Sequence, residues 1–96
     1  MRTLERWRVE GVDCSQVRQT AETPTMAGII IRDAMGENRI ITDPGANARL
    51  TTTDVEIFAA TWKSPAILLT EREIPVETAA RAIAIGKARG LMTIQN

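Results

Sequence analysis

Two carboxylates that follow a short apolar run are the residues of this chain whose spacing best suits binding chemistry. Glu71 and Glu73 come after Ala66–Leu69, a continuous apolar run of the kind that forms buried parallel strands. In open α/β sheets, ligands bind outside the carboxyl ends of the strands. A carboxylate there can accept hydrogen bonds from ligand hydroxyls or hold a basic group. The alternative is that both glutamates only stabilise the positive end of the following helix, and the spacing leaves both open.

A β-hairpin is the second candidate binding element. Two β-branched runs, Ala27–Arg32 and Arg39–Thr42, flank a loop at Asp33–Glu37 in which Gly36 supplies the permissive backbone angle. Apolar side chains on one face could close over a small ligand as a lid, or the strand pair could pack on its own core. Ile29–Ile31 is continuous rather than alternating, which indicates a strand covered on both faces by a ligand or a partner chain.

The residues that several kinds of catalysis and metal binding usually require are absent from this sequence. The sequence has no histidine, and its single cysteine, Cys14, follows an aspartate and is interpreted as a small half-buried residue rather than a nucleophile. One cysteine cannot form an intrachain disulfide or a thiolate metal cluster. Gly45 indicates a turn, because the glycine-rich pattern and lysine of a phosphate-binding loop do not accompany it. We therefore predict no catalytic, cofactor-binding or metal-binding residue in these 96 positions.

The composition is typical of one small globular domain. Twelve basic residues balance twelve acidic ones and aromatic content is 3%, so neither a charged surface for nucleic acid nor a base-stacking platform is expected. No apolar run approaches the roughly 20 residues that span a bilayer, and the charged start lacks a signal-peptide core. These features predict a cytoplasmic protein with no nucleic-acid or membrane partner.

The elements before the apolar run are predicted from periodicity and caps. Leu4–Glu10 is typical of a helix that ends at Gly11, and Val12–Thr20 alternates weakly enough to suggest a short edge strand. Thr51 is a good N-cap, because Asp54 three residues later completes a capping-box pair. Helical spacing then predicts a helix that lasts until Ser64-Pro65, with these side chains on its buried face: Val55, Phe58, Ala59 and Trp62.

Residues 66–95 are predicted to form a βαβ unit. Pro75 suits the first position of a helix that stops at Gly90, after which Leu91–Ile94 resumes as strand. Glu77 and Arg81 have the i, i+4 spacing of a favourable ion pair. The predicted buried face of this helix consists of Val76, Ala79, Ala80 and Ile83.

Several motifs of the chain resemble the ribokinase-like (PfkB) family of carbohydrate kinases. Gly36–Ile40 resembles that family's G-E-N-x-I, and Pro44–Leu50 resembles its P-G-A-N-A-x-L, which is most similar to the ribokinase branch. Thr25 with the isoleucine strand resembles T-G-x-A. Glu73–Thr78 resembles the end of L-E-x-P-x-E-T. Shorter similarities lie at Gly11-Val12-Asp13 and at Asn96, which resembles the asparagine of N-P-A-P.

The resemblance implies specific roles. Kinases of this family transfer the ATP γ-phosphoryl group to a sugar hydroxymethyl, and Glu73 matches a glutamate that hydrogen-bonds the sugar. Four further residues match lid-strand positions that face the sugar: Gly28, Ile30, Ile40 and Thr42. In ribokinases the lid also forms a dimer contact. ATP and magnesium are implied for the full-length family but not for this chain.

Two substitutions and two missing segments depart from the family pattern. Met26 replaces the glycine after Thr25, which is expected to crowd the lid strand, and Arg72 replaces an apolar residue before Glu73. The G-G-K-G-x-N sugar clamp and the G-A-G-D loop with the catalytic aspartate are not in the sequence. Phosphoryl transfer depends on such positioning and charge-stabilising parts, so we expect the 96 residues to be inactive alone.

The sequence therefore predicts an α/β fragment, a partial Rossmann-like (ribokinase-like) layer with a β-hairpin lid. Residues 1–96 would be a single fragment of one domain, with a lid-like hairpin at 26–43 and an α-βαβ part of the core layer at 51–96. The predicted function is part of an ATP-dependent sugar kinase that retains some of the pocket for ribose or a similar sugar. The alternative is a non-catalytic oligomerisation module that uses the hairpin as a dimer interface. Open strand edges favour self-association or a complementary chain in either case.

Overall fold

The computed structural model describes residues 2–96, and the first part of this range is a short helix and an irregular segment. Helix α1 spans Arg2–Val9, and Gly11 follows it with a positive φ of 81°, the conformation that ends helices. The strand predicted at Val12–Thr20 is wrong. The Asp13 carboxylate accepts the Ser15 backbone N–H at 2.8 Å, which lowers the pKa of Asp13 and turns the chain there. Cys14 is buried.

An antiparallel hairpin follows. Strand β1 spans Ala27–Arg32 and strand β2 spans Asn38–Asp43. The turn between them is held by the Asp33 carboxylate, which accepts the backbone N–H groups of Met35 and Glu37, and Gly36 has a φ of 90°. Every residue of both strands is exposed to solvent. A short 3-10 helix at Gly45–Arg49 connects the hairpin to the rest of the chain.

Helix α2 spans Thr52–Ala59 and begins with the predicted capping box. The Thr51 hydroxyl accepts the Asp54 backbone N–H at 3.2 Å, and the Asp54 carboxylate accepts the Thr51 backbone N–H at 2.9 Å. Val55 and Ala59 are buried as predicted. The prediction that the helix lasts to Ser64 is wrong, and Phe58 is 44% exposed because it packs edge-on against Trp62 rather than into a core.

The remaining elements form the predicted βαβ unit. Strand β3 spans Ile67–Thr70, helix α3 spans Val76–Ala88, and strand β4 spans Met92–Gln95, parallel to β3. Helix α3 packs on α2, on β3 and on β4. This α2–α3–β3–β4 assembly contains most of the buried residues of the described chain and is called the body below.

The buried face of α3 differs from the prediction. Val76 and Ala80 are exposed, whereas Thr78 and Ala82 are buried together with Ala79, because α2 and the two strands lie on that side of the helix. The Glu77–Arg81 pair is also wrong. Arg81 instead donates to Glu56 of α2 through Nε at 2.9 Å and Nη2 at 2.7 Å, so it joins two helices rather than two turns of one.

The chain is extended and exposes more surface than a domain of its mass. Its radius of gyration is 15.7 Å, against about 12 Å for a compact domain of this length. Its accessible surface is 7825 Å², against about 5,500 Å² for a typical folded monomer of this mass. The excess arises because the hairpin strands pack substantially only on each other, and because one face of β3 and β4 is also exposed. No helix of residues 2–96 combines the length and hydropathy needed to cross a bilayer.

Candidate functional site

One face of the hairpin carries four of the five predicted site residues. Gly28 lies directly opposite Thr42, and Ile30 lies directly opposite Ile40. Side chains two residues apart on a strand point to the same face, so the two pairs are neighbours on one surface, called the first face below. Ile30 is 67% exposed and Ile40 is 58% exposed. The pairing thus brings together a small apolar surface with one hydroxyl at its edge.

The opposite side of the hairpin, called the second face, is also open. Ile29 lies opposite Ile41, and Ile31 lies opposite Arg39. The three isoleucines are between 51% and 62% exposed. A strand pair that exposes isoleucines on both faces does not supply a core of its own, so the alternative of a hairpin packed on itself is wrong for this chain.

The base of the hairpin is fixed by a close contact between its two ends. Gly45 has a φ of 49°, and a Cβ there would lie 2.4 Å from the Pro24 carbonyl oxygen. The adjacent Ala46 backbone N–H donates to that oxygen at 2.8 Å. Met26 is half-buried, with its sulfur 3.3 Å from Asn47 Nδ2. The substituted methionine therefore packs against the 3-10 helix where the hairpin joins the body.

Glu73, the fifth predicted residue, lies on a different part of the chain from these four. It is exposed in the loop between β3 and α3, at the carboxyl edge of the parallel strands. The substantial packing of the hairpin strands is with each other, while the body packs around α3. Glu73 and the first face thus belong to two separate units that the residues near Gly45 connect.

A cross-strand pair beside Glu73 was not predicted as functional. The Asn96 side-chain amide donates to the Glu71 carboxylate at 3.0 Å, and the Asn96 backbone N–H donates to the Thr70 carbonyl at the same distance. Thr70 is buried, and its hydroxyl has no hydrogen-bond partner among residues 2–96. The sequence indicated Asn96 only through its resemblance to the asparagine of the family's N-P-A-P motif. Register counting from the ends of β3 and β4 would have placed it beside Glu71.

A groove of about 800 Å³ lies between the irregular segment and α2, and the sequence did not predict it. Two ion pairs cross it, Arg18 with Asp54 and Arg49 with Glu22, the second at 2.7 Å. The pKa of Asp54 is lowered, chiefly by the Thr51 hydroxyl and backbone N–H, and further by Arg18. Because each arginine already faces a carboxylate, the groove offers no net charge for an ionic ligand.

The described residues do not fit the ATP and magnesium that the family resemblance implies. Among residues 2–96, no three aspartates, glutamates, cysteines or histidines lie close enough together to hold a metal ion. The glycines with positive φ are isolated in turns at Gly11, Gly36, Gly45 and Gly90, rather than grouped in a phosphate-binding loop. No chemical step is therefore assigned to either group here.

Comparison with known proteins gives a consistent family. The profile described as pfkB family carbohydrate kinase matches residues 2–96. Ribokinase from Staphylococcus aureus is 31% identical over 93 residues, which are 97% of this chain and 31% of that protein. Deoxyribokinase from Salmonella typhi is 28% identical over 96 residues, all of this chain and 30% of that protein.

Solved structures match over the same extent. The crystal structure of Sa239 superposes with a TM-score of 0.81 at 31% identity, covering 97% of this chain and 31% of that chain. Ribokinase from Giardia lamblia superposes with a TM-score of 0.74 at 22% identity, covering 99% of this chain and 32% of that chain, a likeness of fold. The chain thus spans about a third of the length of the relatives that it matches.

Proposed function

This chain belongs to the pfkB family of carbohydrate kinases, and we propose that it supplies the lid and part of the sugar pocket of a kinase that phosphorylates ribose or a similar sugar. The observation that carries the proposal is the first face of the hairpin. Two cross-strand pairs, Gly28 with Thr42 and Ile30 with Ile40, form an exposed, largely apolar surface that a lid could place over a small ligand. Ribokinases and deoxyribokinases among the relatives favour a pentose.

Glu73 would bind the sugar from the body side. It is exposed at the carboxyl edge of two parallel strands, where α/β sheets place their ligands. A carboxylate accepts hydrogen bonds from two sugar hydroxyls at once. In this proposal the first face of the hairpin and Glu73 contact opposite sides of the bound sugar. The location of such an ATP-dependent kinase would be cytoplasmic.

Catalysis would need parts that these 96 residues do not contain. Phosphoryl transfer depends on positioned charges around the transferred group, and the described residues offer neither a metal cluster nor a phosphate loop. The 96-residue chain is therefore expected to show no ADP release above background with ribose and ATP. Turnover by this chain alone, in a coupled ADP assay, would refute that expectation.

Calorimetric titration tests the retained pocket. D-ribose is titrated into the chain, into Glu73→Gln and into Glu77→Gln, whose carboxylate lies in the first turn of α3. Measurable heat that Glu73→Gln reduces, because one of the two acceptor oxygens becomes a donor, and that Glu77→Gln preserves is the expected result. No heat from the unaltered chain, with or without ATP, would contradict a pocket that functions in this segment alone.

The second face supports a second candidate function, a dimer contact. Ile29, Ile31 and Ile41 are exposed on it, and the outer edges of β1 and β2 carry no further strand in the described chain. A self-associating chain should sediment as a dimer at micromolar concentration, and Ile41→Lys should shift it to monomer. Ile40→Lys, on the first face, is the matched control and should leave the dimer intact. A monomer at these concentrations would refute this candidate.

A further inference from the structure

The ends of β3 and β4 are joined by side chains as well as by the backbone. Thr70 and Gln95 are the last paired residues of the parallel register. One residue further, the Asn96 backbone N–H donates to the Thr70 carbonyl at 3.0 Å, so the ladder continues into the loop. The Asn96 side-chain Nδ2 then donates to Glu71 Oε2, also at 3.0 Å. Asn96 is thus held through both its backbone and its side chain.

The second of these bonds determines which way the amide of Asn96 faces. A carboxylate only accepts hydrogen bonds, so Glu71 selects the NH2 side of the amide. The carbonyl Oδ1 lies on the other branch of the planar amide and is directed away from Glu71. A hydrogen-bond acceptor is thereby held on the carboxyl edge of the sheet, the side on which the loop that contains Glu73 leads to α3.

We propose that Glu71 is a positioning residue that orients Asn96, so that Asn96 Oδ1 accepts a hydrogen bond from a hydroxyl of the sugar bound at this edge. The assignment of the ligand rests on the proposed function, whereas the orientation of Asn96 does not. Asn96 Oδ1 and the second oxygen of Glu71 are both acceptors. Such a pair suits a ligand that brings hydroxyl donors and disfavours direct contact with a phosphate, whose oxygens are also negative.

The competing explanation is that Glu71 acts only on the positive end of α3. Glu77, in the first turn of α3, provides the matched control because it has the same charge at the same helix end and no hydrogen bond to Asn96. If charge at the helix end were the whole effect, removing either glutamate would have the same consequence. An effect confined to Glu71→Ala would come from its contact with Asn96.

Nuclear magnetic resonance of the Asn96 side-chain amide tests the orientation on the full chain. In the unaltered chain and in Glu77→Ala, the Asn96 NH2 group should be ordered. In Glu71→Ala its order parameter should fall below about 0.6, the range of flexible groups. Glu71→Gln keeps an acceptor oxygen and should restore the order. Each variant's thermal unfolding midpoint is measured alongside, so that a loss of folding is separated from a loss of orientation.

Two results would overturn the proposal: a disordered Asn96 amide in the unaltered chain, or equal order in Glu71→Ala and Glu71→Gln. The ligand is tested by adding D-ribose, and separately inorganic phosphate, while the Asn96 signals are followed. Ribose should shift them in the unaltered chain and much less in Glu71→Ala. If ribose shifts Glu73 but not Asn96, the sugar contact of this proposal is wrong. If ribose shifts no residue, the pocket of the proposed function is what fails, and the order measurements still decide the orientation.

Discussion

The hairpin and the body of this chain differ in how much of their apolar surface is buried. The hairpin exposes isoleucines on both faces, whereas the body buries small residues such as Ala59, Ala79 and Ala82 around α3. The body is covered on one side only, because its strands expose four large apolar side chains on the other face: Ile67, Leu69, Met92 and Ile94. A small side chain allows a helix to approach its neighbours closely, as α3 does at Gly86, where an added Cβ would lie 2.9 Å from Leu68 Cδ2. Large side chains without neighbours, in contrast, are available for a ligand or a second chain. Close packing around α3 therefore stabilises the body, whereas the exposed apolar side chains of the hairpin, and those on the outer face of β3 and β4, are surfaces that another molecule could cover.

Amide hydrogen exchange should separate the two regions most strongly. A two-stranded hairpin without a packed face is marginally stable, so its amides open locally. Amides in the middle of α3, near Ala82, should exchange only on global unfolding. We expect the amides of β1 and β2 to exchange at least about a hundredfold faster than those of α3. Equal protection in both regions would mean that the hairpin is packed in solution, as in a dimer, which dilution would then reverse.

Replacing one glycine by leucine in each region should distinguish the close packing of α3 from the open surface of the hairpin. A Cβ at Gly86 of α3 would lie 2.9 Å from Leu68 Cδ2 and 3.0 Å from Thr93 Cγ2, whereas a Cβ at Gly28 of β1 meets nothing within 4 Å. Gly86→Leu should lower the free energy of unfolding by about 2–3 kcal/mol through overpacking, despite the better helix propensity of leucine. Gly28→Leu should change it by less than about 0.5 kcal/mol. Urea denaturation measures both, and a tolerated Gly86→Leu would contradict the close packing of α3.

Removing one hydroxyl group from the body and one from the hairpin should produce a smaller difference in the free energy of unfolding. Thr78 is fully buried, and its hydroxyl donates to the Leu50 carbonyl at 2.9 Å, which ties α3 to the residue before the N-cap of α2. Thr78→Val keeps the shape and leaves that carbonyl unpaired, so it should cost about 1–2 kcal/mol of unfolding free energy. Thr42→Val on the exposed hairpin should be nearly neutral, within about 0.5 kcal/mol. Equal effects would show that the Thr78 bond contributes nothing.

Acid should weaken the body at one identified carboxylate, with the smallest effect of the four. The Thr51 hydroxyl and backbone N–H hold the pKa of Asp54 below its ordinary 3.8, so the charged form is favoured by folding. Its contribution is present above pH 3.8 and is lost as the pH falls through the lowered value. Asp54→Asn should therefore lose less stability than the unaltered chain when the pH falls below 3.8. Thermal unfolding at a series of pH values measures this, and parallel curves would refute it. The amides of β1 and β2 should exchange hydrogen at the same rate in Asp54→Asn as in the unaltered chain.

Local sequence rules succeeded wherever a few neighbouring residues decide the structure. The hairpin strands, the capping box of Thr51 and Asp54, the stop at Gly90 and the βαβ order were all predicted, because each depends on residues within a few positions. The edge strand predicted at residues 12–20 is wrong, because an Asx turn at Asp13 bends the chain where the sequence showed only a weak alternation. The face of α3 was missed because α2 and the strands, rather than the periodicity of α3, select what it buries.

The sequence by itself determined the family and the local elements, because motifs and caps are short-range patterns that remain readable without a fold. Only the tertiary structure decided which residues act together. Strand register placed Gly28 beside Thr42 and Ile30 beside Ile40 on one face, and it placed Asn96 beside Glu71 across 25 residues of chain. Helix packing redirected Arg81 from Glu77 to Glu56. The physical reason is that such contacts depend on how elements lie against one another, and that geometry is set by the packing of the whole chain rather than by any segment of it.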